Sequence, residues 1–223
     1  MKLKLALFAL LTTAMVGTSS CAKSDAQDKS ANTTLDAANS PALAEEDSAM
    51  DDFDPFDPNI EEKLNLMDAE YEAETGLSSH LPDKSRYFAA GCKRSACAVY
   101  AHVSKAQQLL SLYENGNLIG QFATSSGAKG HGTPNFDQRP NGRIYDAYTS
   151  KAYPGGDYNG LGNMPYAVFI SGGFAIHGTG KSNWPKLGRP ASHGCIRVHP
   201  DNAYRFNRLV RQYGVANTWI TVE

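Results

Sequence analysis

The stretch "AIHGTGKSNWPKLGRPASHGCIR", residues 175 to 197, gathers His177, Ser192, His193 and Cys195 in one short span of chain. A thiol attacks at neutral pH only as thiolate, and a histidine within hydrogen-bond reach supplies both the base and a stabilising charge. Two histidines qualify. His193 stands two residues from Cys195, so in an extended segment it points the same way as the thiol rather than at it. His177 ends a strand-like run, where a partner strand would bring it face to face with the thiol, and it is the preferred base. Gly194 permits a tight turn and close approach of a substrate carbonyl, with the N–H groups of Gly194, Cys195 and His193 aimed at a developing oxyanion. Two plainer readings stay open. One is a buried cysteine in a glycine loop with satisfied core histidines. The other is a zinc site of His177, His193 and Cys195, for which no fourth ligand is evident.

Working outward, the chain from Ala98 onward is mostly strand-like. "CAVYAHVS", "QQLLSLY" and "NLIGQFATSSG" follow one another, and Asn115-Gly116 between the last two is a strong hairpin signal. Further short strands are expected at "GRIYDAYTS", "MPYAVFIS", "GFAIHGT" and the terminal "TWITVE", with Gly and Pro turns between them. One helix stands out: Ala203, Phe206, Leu209, Val210 and Tyr213 form an apolar face, Asp201 opens it, Arg208 and Arg211 fall near its end and Gly214 follows. The expectation is a mostly antiparallel β domain with one or two short helices over residues 81–223.

The N-terminal part reads differently. Lys2 and Lys4 precede an apolar run from Leu5 to Val16, too short to span a bilayer and suited to a secretory signal over residues 1–21. It ends in "VGTSSCA", which resembles a lipoprotein signal with Cys21 as the lipidated residue, although Thr18 stands where Leu is usual. Ordinary cleavage after Ser20-Cys21-Ala22 is the alternative. Residues 22–80 hold 3 Lys against 16 acidic residues, a charge of −13, whereas residues 81–223 hold 16 Lys and Arg against 7 acidic residues, or +9. Residues 22–59, rich in Ala, Asp, Ser and Asn, read as a disordered acidic tether with an r.m.s. span of about 35 Å. Over residues 60–80, Ile60, Leu64, Met67 and Tyr71 recur at helical spacing with Gly76 as a stop. That acidic helix is read as solvated on its charged face, with docking on the basic region as the other possibility.

Export bears on the cysteines. With Cys21 assigned to the signal, Cys92 and Cys97 in "CKRSAC" are close enough for a disulfide in an oxidising space, a C-x4-C metal half-site being the alternative. Cys195 is then left over, as an intermolecular bridge or a reactive thiol.

His177-Gly178-Thr179, twelve residues, then Ser192-His193-Gly194-Cys195-Ile196-Arg197 resembles the signature of the L,D-transpeptidase catalytic domain, the YkuD family. "YENGNLIGQFATSSG", the Thr133-Pro134 turn and "MPYAVFISGGFAIHG" are similar to its opening hairpin, its Thr-Pro turn and the strand leading to its first histidine. Coverage runs from about Ala98 to Glu223. The resemblance implies a single β-sandwich domain and peptidoglycan chemistry without metal or organic cofactor. Cys195 would attack the carbonyl of the position-three diamino acid of a stem peptide, expel D-Ala and leave a thioester, and an amine of a second stem peptide would resolve it as a 3–3 cross-link. His177 would carry the proton with the Gly178 carbonyl orienting its ring, beside Ser192 and the His193, Gly194 and Cys195 oxyanion donors. Two features depart from the family pattern. Arg197 stands where Asn is frequent and would suit a stem-peptide carboxylate, and residues 135–160 form a longer insert. Tyr158, Met164, Tyr166 and Trp184 are further candidate substrate contacts.

A location in the periplasm, tethered to the outer membrane if Cys21 is lipidated, goes with this reading. The +9 region suits carboxylate-bearing wall polymers. Secretion and the lack of a basic-aromatic repeat argue against nucleic acid. A carboxypeptidase or cross-link-cleaving hydrolase on the same scaffold, or a non-catalytic wall-binding lipoprotein, are the alternatives.

Overall fold

The computed structural model describes residues 54–81, 91–150 and 156–223. The signal and lipidation readings at residues 1–21, Cys21 included, and the tether as far as residue 53 lie outside the described residues. Among the described residues no helix is long and apolar enough to cross a membrane.

Two sheets carry the fold. The larger has the order β3-β2-β1-β8-β4, built from β1 (Val99–Ser104), β2 (Leu109–Glu114), β3 (Asn117–Ala123), β4 (Phe136–Gln138) and β8 (Thr218–Val222). The smaller has the order β5-β6-β7, from β5 (Val168–Ser171), β6 (Phe174–Gly178) and β7 (Ile196–Val198). Neighbours run antiparallel except β1 with β8 and β6 with β7. The β2–β3 turn places both Asn115 and Gly116 at positive φ, 48° and 79°. That is the geometry whose twist matches the flanking strands, and it is why Asn-Gly sits there.

Alternation along β1 buries Val99, Ala101 and Val103. They meet Leu110 and Leu112 of β2, Ile220 and Val222 of β8, and Val168, Ile170, Ile176, Ile196 and Val198 of the smaller sheet. Helix α2 (Pro200–Tyr213) closes this core with Ala203, Phe206, Leu209 and Val210. Pro200 fits its first turn, where the missing N–H goes unneeded, and His199 caps it by accepting from the Asp201 N–H.

Two expectations need correction. "GRIYDAYTS" does not form a strand. Its first half pairs antiparallel with residues 166–169 only as an isolated bridge at Ile144 and Val168: Tyr145 donates to Ala167 O, the Phe169 N–H to Arg143 O and the Tyr166 N–H to Asp146 O, and beyond Asp146 the pairing stops, Tyr148 donating to Leu161 O instead. Its apolar residues are buried all the same, Ile144 in the main core and Tyr145 and Tyr148 in a second cluster. The second correction concerns helix α1 (Ile60–Thr75), whose polar face is only partly solvated. Arg143 donates through Nε to Asp68 at 2.8 Å, through one terminal nitrogen to Glu61 at 2.9 Å and through the other to Asn65 at 2.7 Å, and Tyr145 Oη also donates to Asp68. Asp68 and Arg143 are both buried, and a charge taken from water is tolerable only when so paired. The turn ahead of α1, Asp54–Asn59, falls within the stretch read as tether. In the structure its Pro55 and Phe56 pack on Gly173 and Gly194.

Cys92 and Cys97 form a disulfide with their Cα atoms 4.8 Å apart.

Candidate active site

The parallel pairing of β6 with β7 sets Ile176 beside Ile196 and His177 beside Arg197, so Cys195 falls beside Ala175. Side chains alternate faces along a strand. Ile176, Ile196 and Val198 enter the main core, which puts Ala175, His177, Cys195 and Arg197 together on the opposite face. The thiol, the preferred base and the unassigned guanidinium thus share one surface because of register alone.

His177 is buried, and its Nδ1 lies 2.6 Å from the Gly178 carbonyl oxygen. A carbonyl only accepts, so Nδ1 carries the hydrogen and a neutral ring leaves Nε2 as the basic nitrogen. Burial pulls the His177 pKa down to about 3, with the Arg197 charge adding to the shift and the Gly178 bond opposing it. Burial also pushes Cys195 up to about 11, against the Ala175 backbone and Arg197, which favour the thiolate. At neutral pH the resting pair is therefore thiol and neutral imidazole. The thiol donates to Gly173 O at 3.4 Å.

Around the cysteine the backbone is held at several fixed points. Ser192 Oγ donates to Cys195 O at 2.5 Å and accepts from the Gly194 N–H at 3.1 Å. Thr133 Oγ1 donates to Gly194 O at 2.6 Å and accepts from the Gly127 N–H at 2.8 Å. Arg197 exchanges both backbone bonds with Ser125. The Gly194 N–H, assigned from sequence to an oxyanion site, is thus spent inside the loop on Ser192. A trans peptide points its N–H opposite to its carbonyl, so anchoring Gly194 O on Thr133 fixes the direction of the Cys195 N–H. Gly194 itself has φ 121°, a conformation that side chains disfavour.

The family is decided by the length of chain that carries these elements. Residues 98–220 match the family model described as the L,D-transpeptidase catalytic domain, YkuD, which is more than half of the chain. This chain belongs to the YkuD family. Solved L,D-transpeptidases resemble it at low identity. One from Mycobacterium smegmatis is 18% identical, with 57% of this chain and 59% of that chain covered and a TM-score of 0.45. One from Mycobacterium tuberculosis is 20% identical, with 57% and 58% covered and a TM-score of 0.45. One from Xylanimonas cellulosilytica is 21% identical, with 61% and 65% covered and a TM-score of 0.35. The chain thus spans less than two thirds of each. No curated protein matches it.

In this YkuD domain the remaining candidates separate. Arg197 donates to Ala191 O at 3.1 Å and lies 3.5 Å from His193 Nδ1, with no carboxylate bonded to it among the described residues. His193 is half-buried, its pKa lowered by burial and then by Arg197 and His131. Met164 is buried in the cluster that holds Cys195, so its part is packing around the thiol. Tyr166 packs edge-on to Tyr204 of α2 and against the main core, outside the Cys195 cluster. Trp184 donates to Thr179 O at 2.9 Å and rests on His199. Tyr158 helps close a turn, its N–H bonded to Gly162 O at 3.0 Å.

Several residues around the thiol escaped the sequence reading. Tyr145, Tyr148 and Phe169 share the cluster with Cys195, joined there by Ile60 and Leu64 of the helix read from its spacing. His131 lies edge-on to His193 with ring centroids 5.4 Å apart. Its loop "GAKGHGTP" carried one usable signal. A Cβ on Gly127 would meet His131 O at 1.8 Å, a closeness that only glycine tolerates.

Proposed function

We propose that this chain is a cysteine L,D-transpeptidase of peptidoglycan stem peptides. The observation that carries the reading is the common face of Cys195 and His177, with His177 Nδ1 pinned by Gly178 O so that Nε2 is left basic.

With both groups neutral at rest, deprotonation accompanies attack. The thiol exchanges its Gly173 contact for His177 Nε2, gives up its proton there, and the sulfur bonds to the carbonyl carbon of the position-three residue. The developing oxyanion lies by the Cys195 N–H, and a preorganised donor of this type is worth roughly 10²–10³ in rate. Collapse breaks the bond to the terminal D-Ala, whose amine takes the proton from His177, leaving a thioester on Cys195. An amine from a neighbouring stem peptide then attacks, the proton returns through His177, and the product is a 3–3 cross-link with the thiol restored. Arg197, without a carboxylate of its own among the described residues, would receive one from the stem peptide. The apolar N-terminal run and Cys21 favour export to the periplasm and a lipid anchor on the outer membrane.

The test is incubation of the protein with disaccharide-tetrapeptides followed by mass spectrometry. Dimers lacking one D-Ala are expected, and none from Cys195→Ala. Tripeptide alone would redirect the reading to a carboxypeptidase, and cleavage of preformed cross-links to a hydrolase. Carbapenem acylation read by intact mass is expected to vanish in Cys195→Ala.

A further inference from the structure

The turn and helix at residues 54–75 lie outside the family match, yet their tip sits beside the nucleophile. Cys195 is only 9% exposed. A substrate carbonyl must come within about 3–3.5 Å of its sulfur, with the oxygen beside the Cys195 N–H. Over Gly194 that approach is filled. A Cβ built on Gly194 would meet Phe56 Cε2 at 3.1 Å, Phe174 Cε1 at 3.2 Å and Pro55 Cγ at 3.3 Å. One built on Gly173, whose carbonyl accepts the hydrogen bond of the thiol, would meet Pro55 Cα at 2.7 Å.

The two halves of this segment are held unequally. The helix is fixed by the Arg143 bonds to Glu61, Asn65 and Asp68 and by Ile60 and Leu64 in the Cys195 cluster. The tip has an edge-on contact of Phe56 with Phe174, centroids 5.1 Å apart, and a longer one with His131 at 6.4 Å, while Phe56 remains 45% exposed. Between them the Asp57–Asn59 turn is pinned by the Lys63–Asp57 pair at 2.6 Å. A weakly held ring on a firmly held base is the mechanical arrangement of a gate.

We infer that Phe56 is an access-determining residue of this site, a gate over Gly194 that must swing aside before an acyl donor reaches Cys195. The inference rests on the transpeptidase reading for its meaning, but not for its test. Full-length wild-type protein, Phe56→Ala and Phe56→Trp are treated with iodoacetamide, and the Cys195 peptide is followed by mass mapping, which separates it from Cys21. Reaction through a minor open state scales with the population of that state. Removing the half-buried ring is expected to raise Cys195 alkylation about fivefold, the population factor for half of a phenylalanine's burial free energy, and the larger Trp ring to slow it. Alkylation in Phe56→Ala that is unchanged or slower overturns the gate. A parallel carbapenem arm keeps the readings apart. If alkylation follows the gate while no variant forms the adduct, the gate stands and the transpeptidase reading falls.

Discussion

Cys195 is enclosed from two sides that are built on different principles. On one side the loops at residues 125–133 and 191–197 are stitched by hydrogen bonds that fix peptide planes: Thr133 to Gly194, Ser192 to Cys195, Ser125 to Arg197. On the other, α1 and its tip cover the thiol with apolar contacts and an ionic clamp on Arg143. The stitched side lies within the family match and the clamped side outside it. Directional bonds hold the groups that must be placed to fractions of an ångström, whereas on the covering side the clamp has only to keep α1 in place beneath a tip that stays or swings aside.

The largest effect should come from breaking the clamp. Asp68→Ala leaves Arg143 buried without its closest acid, a change that costs about 3–5 kcal/mol for a buried pair. The expected readout is faster limited proteolysis after α1, around residues 76–81, at protease levels that leave the wild type whole. Breaking the stitched side should instead spare the fold's covering helix and damage chemistry. Thr133→Val removes both bonds of that hydroxyl and frees the Gly194–Cys195 peptide, and such misplacement costs roughly 10²-fold in rate. The loss should fall on the carbapenem acylation step rather than on the concentration dependence, and Thr133→Ser should recover most of it. Unaltered acylation in Thr133→Val would erase the distinction between the two sides.

Smaller effects follow from protons. His177 has a folded pKa of about 3 and an unfolded one near 6.5. Above 6.5 neither state binds the proton and stability is independent of this group. Between 6.5 and 3 only the unfolded chain binds it, so stability falls as pH falls, by about 1.4 kcal/mol per unit. His177→Gln should flatten that slope in denaturant titrations at pH 4 to 6.5. The smallest change is expected in the acylation rate between pH 6 and 9. A neutral thiol and neutral imidazole persist across that range, so acylation should vary less than about twofold, while alkylation by iodoacetamide, which requires free thiolate, rises about tenfold per unit. Two inflections in acylation would reveal an ion pair at rest.

The nucleophile, its base and the local elements were legible in the sequence, whereas the bonds that stitch the loops from Thr133 to Gly194 and from Ser125 to Arg197 were not. The His177 to Cys195 span, the Asn115-Gly116 hairpin and the face of α2 each rest on neighbours or fixed periods. What escaped depends on distant partners. Nothing near Asp68 announces Arg143, 75 residues away, so the helix read as solvated. Residues 142–150 alternate like a strand, yet their pairing with residues 166–169 stops at Asp146, and Tyr148 turns to Leu161 and Met164 instead. Gly194 looked like an oxyanion donor because its freedom was visible and its bond to Ser192 was not.

The place of β8 bears on the order in which the molecule is assembled. Strand β8 lies inside the larger sheet, between β1 and β4, and pairs in parallel with residues more than a hundred positions earlier. Joining β8 to β1 shuts a long loop and is so a slow step. Cys92 and Cys97, five positions apart, meet by a far shorter search. Once that local bridge has formed, Cys92 and Cys97 are both withdrawn from the thiol of Cys195, and neither can capture it while the long loop closes.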